Sequence, residues 1–238
     1  MKPQELAHSI QQQGAAPLYL VCGEEDCLRD QAVAMIKAAA LGHGSRENGG
    51  DDGLEAFAYD LLYGDECDAS EILACAREAS VFAPRRLLIV KAAEKLPARE
   101  GEALLPYLKA PCDSTTLVFV AAKLDGRLKF SQALSKQAVV VDCSSLYDNQ
   151  LPAWIRAEAS RVGVRLNEEA IHRLADLAAS LRNQAGGSLY LIRRELEKLA
   201  AYVPTGAVAG PADVESVRGG EAGASVFDLT AAIGAQDP

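Results

Sequence analysis

The sequence predicts an α/β protein, a five-stranded, mostly parallel sheet with helices on both faces, followed by a small all-α bundle. Two observations carry this. Five short apolar runs recur within the first 142 residues, most of them unbroken by polar positions, as strands buried on both faces require. Between the runs lie segments with apolar residues at helical spacing, and strands alternating with helices call for a parallel sheet with right-handed crossovers.

In chain order the runs are "PLYLVC" (17–22), "LEAFAY" (54–59), "RLLIVK" (86–91), "TLVFVAA" (116–122) and "AVVVDC" (138–143). After the first, residues 24–41 place Leu28, Ala32, Met35, Ile36 and Ala39 along one helical face. The glycine-rich acidic stretch 42–53 reads as a flexible loop. Residues 68–80 open with Asp68 and carry Ile72, Leu73, Ala76 and Ala79 at helical spacing. Shorter helices fit 100–110, with Pro106 kinking or splitting the segment, and 127–137.

After residue 143 the pattern predicts no further strands. Leu151, Trp154, Ile155, Ala159 and Val162 share a helical face, Asn167 is placed to cap a second helix, and Ser188, after Gly186 and Gly187, to cap a third. A loop containing Pro204 and Gly210 then leads to a last segment that starts a helix near the end of the chain.

The bulk properties describe a soluble globular chain, with 238 residues, 49% hydrophobic content and a net charge of −9. No run approaches the ~18 apolar residues of a membrane span, and "MKPQELAHSIQQQG" lacks the basic-then-apolar pattern of a secretory signal, so a cytoplasmic protein is expected. The charge is uneven. Residues 1–80 hold 5 basic against 15 acidic side chains, whereas 81–142 hold 10 against 6. That asymmetry fits steering within an assembly, or simply a solvated surface. The cysteines, Cys22, Cys27, Cys67, Cys75, Cys112 and Cys143, show no C-x-x-C spacing, and the three histidines lie far apart. Reduced structural thiols are expected, with no metal and no Ser/His or Cys/His site.

The stretch "LYLVCGEEDCLRDQAV" has the strand, glycine and helix of a phosphate loop, but three carboxylates, Glu24, Glu25 and Asp26, follow Gly23 where a lysine and a hydroxyl belong. At a helix start such carboxylates complement the dipole and favour capping or surface roles. A second requirement of nucleotide hydrolysis, an acidic pair directly after a core strand, is also missing, since "RLLIV" is followed by Lys91, Ala92, Ala93 and only then Glu94. No catalytic residue and no cofactor are therefore expected. A divergent phosphate-loop ATPase or kinase is the enzyme alternative, and a DNA-binding adaptor acting through the bundle is a third reading.

Between helix 68–80 and strand 86–91 lies "SVFAPR". Pro84 lacks an amide donor and disfavours helix at Ala83, so the connection is a stiff loop. Its Val81 and Phe82 either fold back into the core or are offered to a partner. If offered, each contributes about 1.5–3 kcal/mol on burial, enough for an interface hot spot.

Six stretches taken together resemble the delta subunit family of bacterial DNA polymerase III: "APLYLVCGEEDCLRDQAV", "ASVFAPRRLLIVKAAEKL", "TLVFVAAKLDGRLKFSQAL", "LPAWIRAEASRVGVRL", "GGSLYLIRRELEKLAAY" and "SVFDLTAAI". The resemblance runs over essentially the whole chain. It implies a non-catalytic clamp-loader subunit with an AAA+-like domain lacking a functional phosphate loop (1–142), a helical lid (143–217) and the truncated start of a helical collar (218–238). It implies that Val81 and Phe82 form a hydrophobic wedge that binds and opens the beta sliding clamp, valine standing where leucine is more usual. The implied partners are the clamp, the other clamp-loader subunits and primer-template DNA, with no membrane. Lys123, Arg127 and Lys129, basic residues after the fourth strand, are the DNA-contact candidates, a weaker implication of the resemblance, and each taken singly reads better as part of a solvated charge cluster.

Overall fold

The continuous apolar runs form the centre of the sheet in the computed structural model, which describes residues 1–42, 59–78, 85–181 and 188–218. Strand β1 (Leu18–Cys22) is buried at its first four positions, β3 (Arg86–Lys91) at its first five, and β4 (Thr115–Ala121) throughout. The flanking strands β2 (Tyr59–Tyr63) and β5 (Val139–Asp142) are only partly buried. The order is β2-β3-β4-β1-β5 and every pairing is parallel. Edge strands have one neighbour and less cover, so their lower burial follows from their place.

The second strand lies later than its apolar run suggests. Residues 54–58 of "LEAFAY" fall outside the described residues, as does most of the 42–53 loop, and the paired segment is Tyr59–Tyr63. Its extent follows the ladder with β3, Tyr59 opposite Leu87 and Leu62 opposite Val90. Hydrogen-bond partners, rather than an unbroken apolar run, delimit an edge strand.

The chain segregates into two units, Met1–Ser145 and Leu146 onward. In the first, α1 (Pro3–Gln13) is an element the sequence reading did not anticipate. It starts at Pro3 with Lys2 N donating to the Glu5 carboxylate at 2.9 Å, buries Leu6, and stops at Gly14, where φ is 73°. Helix α2 (Asp26–Leu41) packs beside α1 and lies across β1, β3 and β4, burying Leu28, Ala32 and Ile36.

The opposite face of the sheet carries α3 (Ala69–Arg77), α4 (Ala98–Ala103), α5 (Leu105–Lys109) and α6 (Lys129–Gln137). Asp68 caps α3 by accepting the Glu71 amide at 2.8 Å, as its residue type predicts. Pro106 divides the 98–109 region into two short helices at Leu104. Leu18, Leu20, Leu88, Val90, Leu117 and Phe119 supply the strand side of this core, and Ile72, Leu108, Phe130 and Leu134 the helix side. The Phe119 and Phe130 rings meet edge to face at 5.3 Å.

The second unit corrects two expectations. Among the described residues it contains four helices, α7 (Leu151–Val162), α8 (Glu168–Leu181), α9 (Ser188–Tyr202) and α10 (Pro211–Arg218), rather than three. Strands also continue past residue 143, as β6 (Arg165–Leu166) and β7 (Val208–Ala209) form a short parallel ribbon. Two residues per strand are too few to produce a period in sequence. Asn167 caps α8 as expected, its Oδ1 accepting the Ala170 amide at 2.8 Å, while its own amide extends the ribbon to the Ala209 carbonyl. Trp154, Ile155, Ile171, Leu174, Ile192, Leu196 and Val214 fill the core.

Candidate functional site

A parallel sheet places its βα loops at the carboxyl ends of the strands and its αβ loops at the other end. The Gly23 turn follows β1 at the carboxyl edge, whereas the described residues nearest Val81 and Phe82 in sequence, Glu78 after α3 and Arg86 at the start of β3, lie at the amino edge.

At the carboxyl edge the chain's own backbone closes the turn. Gly23 has φ 151°, and a Cβ there would lie 2.0 Å from the Cys143 carbonyl carbon and 2.3 Å from the Ser144 nitrogen. Only glycine lets the exit of β5 pass so close. Two amides that a phosphate loop would point at its ligand have protein partners: Gly23 N donates to the Ala121 carbonyl at 3.2 Å and Glu25 N to the Cys143 carbonyl at 3.0 Å. The Arg29 guanidinium, largely buried, turns back to donate to the Gly23 carbonyl and to the Asp26 carboxylate. A cation supplied by the helix itself thus answers the acidic turn. Glu25 occupies the N-cap position of α2 without making a side-chain cap bond, and Glu24 is exposed, so the capping expected of these carboxylates is a matter of charge and not of hydrogen bonding.

Three ionisable groups nearby, Asp142, Cys143 and Cys22, are held away from acid-base work at neutral pH. Burial pushes the Asp142 carboxyl up, but hydrogen bonds from Lys2, at 2.8 Å, and from Ser144 bring it down to about 2. Burial pushes the Cys143 thiol up to about 12 and raises Cys22 as well, leaving both as protonated thiols. None of the six cysteines is in a disulfide, and among the described residues no group of three or more His, Cys, Asp or Glu side chains could hold a metal. After β3, Ala92 takes a left-handed conformation (φ 51°) and its carbonyl would sit 2.5 Å from a Cβ on Gly64. Glu94 faces solvent, and the adjacent Lys95 pairs with Asp65 at 2.8 Å.

Among the DNA-contact candidates the geometry discriminates. Arg127 is engaged by Asp125 through a fork of contacts, the shortest 2.7 Å, and hydrogen bonding from Arg127 holds the Asp125 carboxyl at about 2. Lys129 lies 3.2 Å from Glu102. Lys123 is exposed and has no ion-pair partner among the described residues.

At the amino edge, Val81 and Phe82 themselves lie outside the described residues. Helix α3 ends at Arg77 with Glu78 as its C-cap, β3 begins at Arg86, and the Arg86 Nη2 lies 2.9 Å from Glu78 Oε2 and 2.6 Å from Asp60 Oδ2 on β2. Sequence reading missed this trio. Its only signal was an arginine opening an apolar strand.

Residues 19–144 match the family model described as DNA polymerase III, delta subunit. Over 213 residues the chain is 24% identical to DNA polymerase III subunit delta of Escherichia coli, an alignment covering 88% of this chain and 57% of that protein. The chain thus spans little more than half the length of that relative. The solved Bacillus subtilis DNA clamp loader delta protein is similar over 90% of this chain and 61% of its own, with TM-score 0.69 and 23% identity. The Thermotoga maritima RuvB Holliday junction branch migration motor is similar over 90% of this chain and 65% of its own, with TM-score 0.50 and 13% identity. These likenesses show the fold, an AAA+-like α/β unit joined to a helical one.

Proposed function

The chain belongs to the DNA polymerase III delta subunit family, and from that premise we propose that it is a non-catalytic clamp-loader subunit that binds and opens the beta sliding clamp. The observation carrying this reading is the family match over residues 19–144, a span that includes Val81 and Phe82. In this reading residues 1–142 are the AAA+-like clamp-binding domain, 143–217 the lid and 218–238 the beginning of the collar.

The mechanism is mechanical. Val81 and Phe82 enter an apolar pocket on the clamp, and burial of the two side chains contributes roughly 3–6 kcal/mol together. A wedge that fits a distorted clamp interface better than a closed one shifts the ring toward the open state by that difference in affinity. Nucleotide acts on other subunits of the loader. The closed Gly23 turn, with Arg29 folded over it, supports this division of labour. Primer-template DNA is met through phosphate contacts, and Lys123, without a carboxylate partner among the described residues, is better suited to them than Arg127 or Lys129. Such a factor works in the cytoplasm, and among the described residues no helix is long and apolar enough to cross a membrane.

The test is retention of the chain by an immobilised bacterial sliding clamp. Wild-type protein is expected to be retained, and the Val81→Ala/Phe82→Ala variant to pass through. Equal retention of the two would refute the wedge.

A further inference from the structure

The two edges of the sheet are protected to different degrees. At β5 the chain covers its own edge, where the Asp142 amide donates to the Met1 carbonyl at 2.8 Å and the Met1 nitrogen to the Val140 carbonyl at 2.9 Å. At β2, only β3 is paired among the described residues. Strand edges are ordinarily guarded by lysine, proline or a bulge, and "YDLLY" carries none of these. Its single charge, Asp60, is drawn to Arg86 at 2.6 Å. Alternation puts Tyr59, Leu61 and Tyr63 on the face opposite Leu62, which packs against the core that holds Ile72 of α3. On their face α2 covers β1, β3 and β4 and extends Lys37 over the Tyr59 ring at 4.4 Å. Leu61 and Tyr63 stay 37% and 42% exposed, although Ile89, opposite Leu61 on β3, is buried.

We infer that β2 is a docking edge for an extended, basic segment of another polypeptide, which adds to the sheet as a further strand. Backbone pairing supplies the binding, and alternate apolar side chains of the added strand continue the stripe of Leu61 and Tyr63. Charge selects the partner. Residues 59–78 hold six carboxylates, Asp60, Asp65, Glu66, Asp68, Glu71 and Glu78, against one cation, Arg77. The turn after β2, in which the Glu66 and Cys67 amides both donate to the Tyr63 carbonyl at 3.0 Å, sets Asp65 and Glu66 at the end of the stripe. Asp65 is met by Lys95 at 2.8 Å, while Glu66 is exposed without an ion-pair partner among the described residues. The Cys67 thiol is raised first by burial and then by the charges of Glu71, Asp68 and Asp65, so these carboxylates act on one place. A second copy of the chain would bring the same acidic surface to the edge and be repelled, whereas a lysine-bearing strand is attracted.

The probe is a labelled peptide of alternating valine and lysine, about nine residues long, titrated against the purified chain by fluorescence anisotropy. Binding is expected, weakening as salt is raised, and the counterpart with glutamate in place of lysine is expected not to bind. Leu61→Thr/Tyr63→Thr keeps the charge and the strand-forming side chains but removes the apolar contact. It is expected to weaken binding about tenfold or more, while the unfolding midpoint moves by about 2 °C or less because both side chains are exposed. Amide hydrogen exchange across residues 59–63 is expected to slow when the lysine peptide is bound, as backbone pairing requires. No binding of the lysine peptide, equal binding of the glutamate peptide or undiminished binding by the variant would overturn the docking edge. Binding without slowed exchange in β2 would overturn strand addition. A dimer of the chain that Leu61→Thr/Tyr63→Thr dissolves would make a second copy the occupant and overturn the choice of a basic partner.

Discussion

Glu158 is the clearest case of a single residue whose surroundings decide its chemistry. Burial alone would push its carboxyl up, but the hydrogen bond from Arg161 at 2.7 Å and the charge and hydrogen bond of Arg193 at 2.5 Å prevail and hold it below the usual glutamate value. A carboxylate depressed in the folded state contributes stability above its unfolded value, near 4.3, and that contribution is lost as pH falls through the folded value. Urea unfolding of the chain is therefore expected to weaken from about pH 4.5 downward, with a shallower acid limb in Glu158→Gln. Glu158→Ala leaves two arginines without their shared partner and is expected to cost about 3 kcal/mol at neutral pH. The same local logic governs Arg29, which spends its charge on Gly23 and Asp26. Calorimetry with ATP and magnesium is expected to give no binding heat at submillimolar nucleotide, and micromolar binding would show that the turn opens. The missing lysine and the three carboxylates could be read in the sequence. The Arg29 contact could not, because it depends on the backbone conformation that turns the Gly23 carbonyl toward the helix.

Elements were legible where one cause sufficed. Strands β1, β3 and β4 are buried on both faces, so composition alone marks them, whereas β2 is set by its ladder with β3 and its apolar run points a few residues too early. Helix α1 escaped notice because its "PQELAHSIQQQ" buries little beyond Pro3 and Leu6 and so lacks a strong apolar stripe. Packing between short helices is likewise invisible in sequence. A Cβ on Gly101 of α4 would approach the Cβ and Cγ of Phe130 on α6 to 2.9 Å, so Gly101 is the hollow into which that ring sits. Gly101→Ala is expected to destabilise the chain by about 1–3 kcal/mol. Phe130→Ala costs stability by itself through lost contacts with Phe119, yet it removes the Cγ that a methyl on residue 101 would meet, so the double variant is expected to be less destabilised than the sum, a coupling that chemical denaturation of the four proteins measures.

Over the whole molecule, the sheet separates two kinds of site. Its carboxyl edge, where parallel α/β folds bind ligands, is closed by Gly23, Cys143 and Arg29, while at the amino edge the largely buried Arg86 guanidinium meets the more exposed carboxylates of Asp60 and Glu78. The apolar pair itself was readable, since Pro84 and the flanking helix and strand isolate it, but no sequence rule says whether such a pair turns inward or outward. That question is settled most directly by titrating the chain against the sliding clamp, wild type beside Val81→Ala/Phe82→Ala, with thermal unfolding of both. The account predicts that the double variant loses about a hundredfold or more in affinity while its unfolding midpoint stays within about 2 °C of wild type. Undiminished affinity, or a midpoint lowered by many degrees as for a core pair, would contradict it.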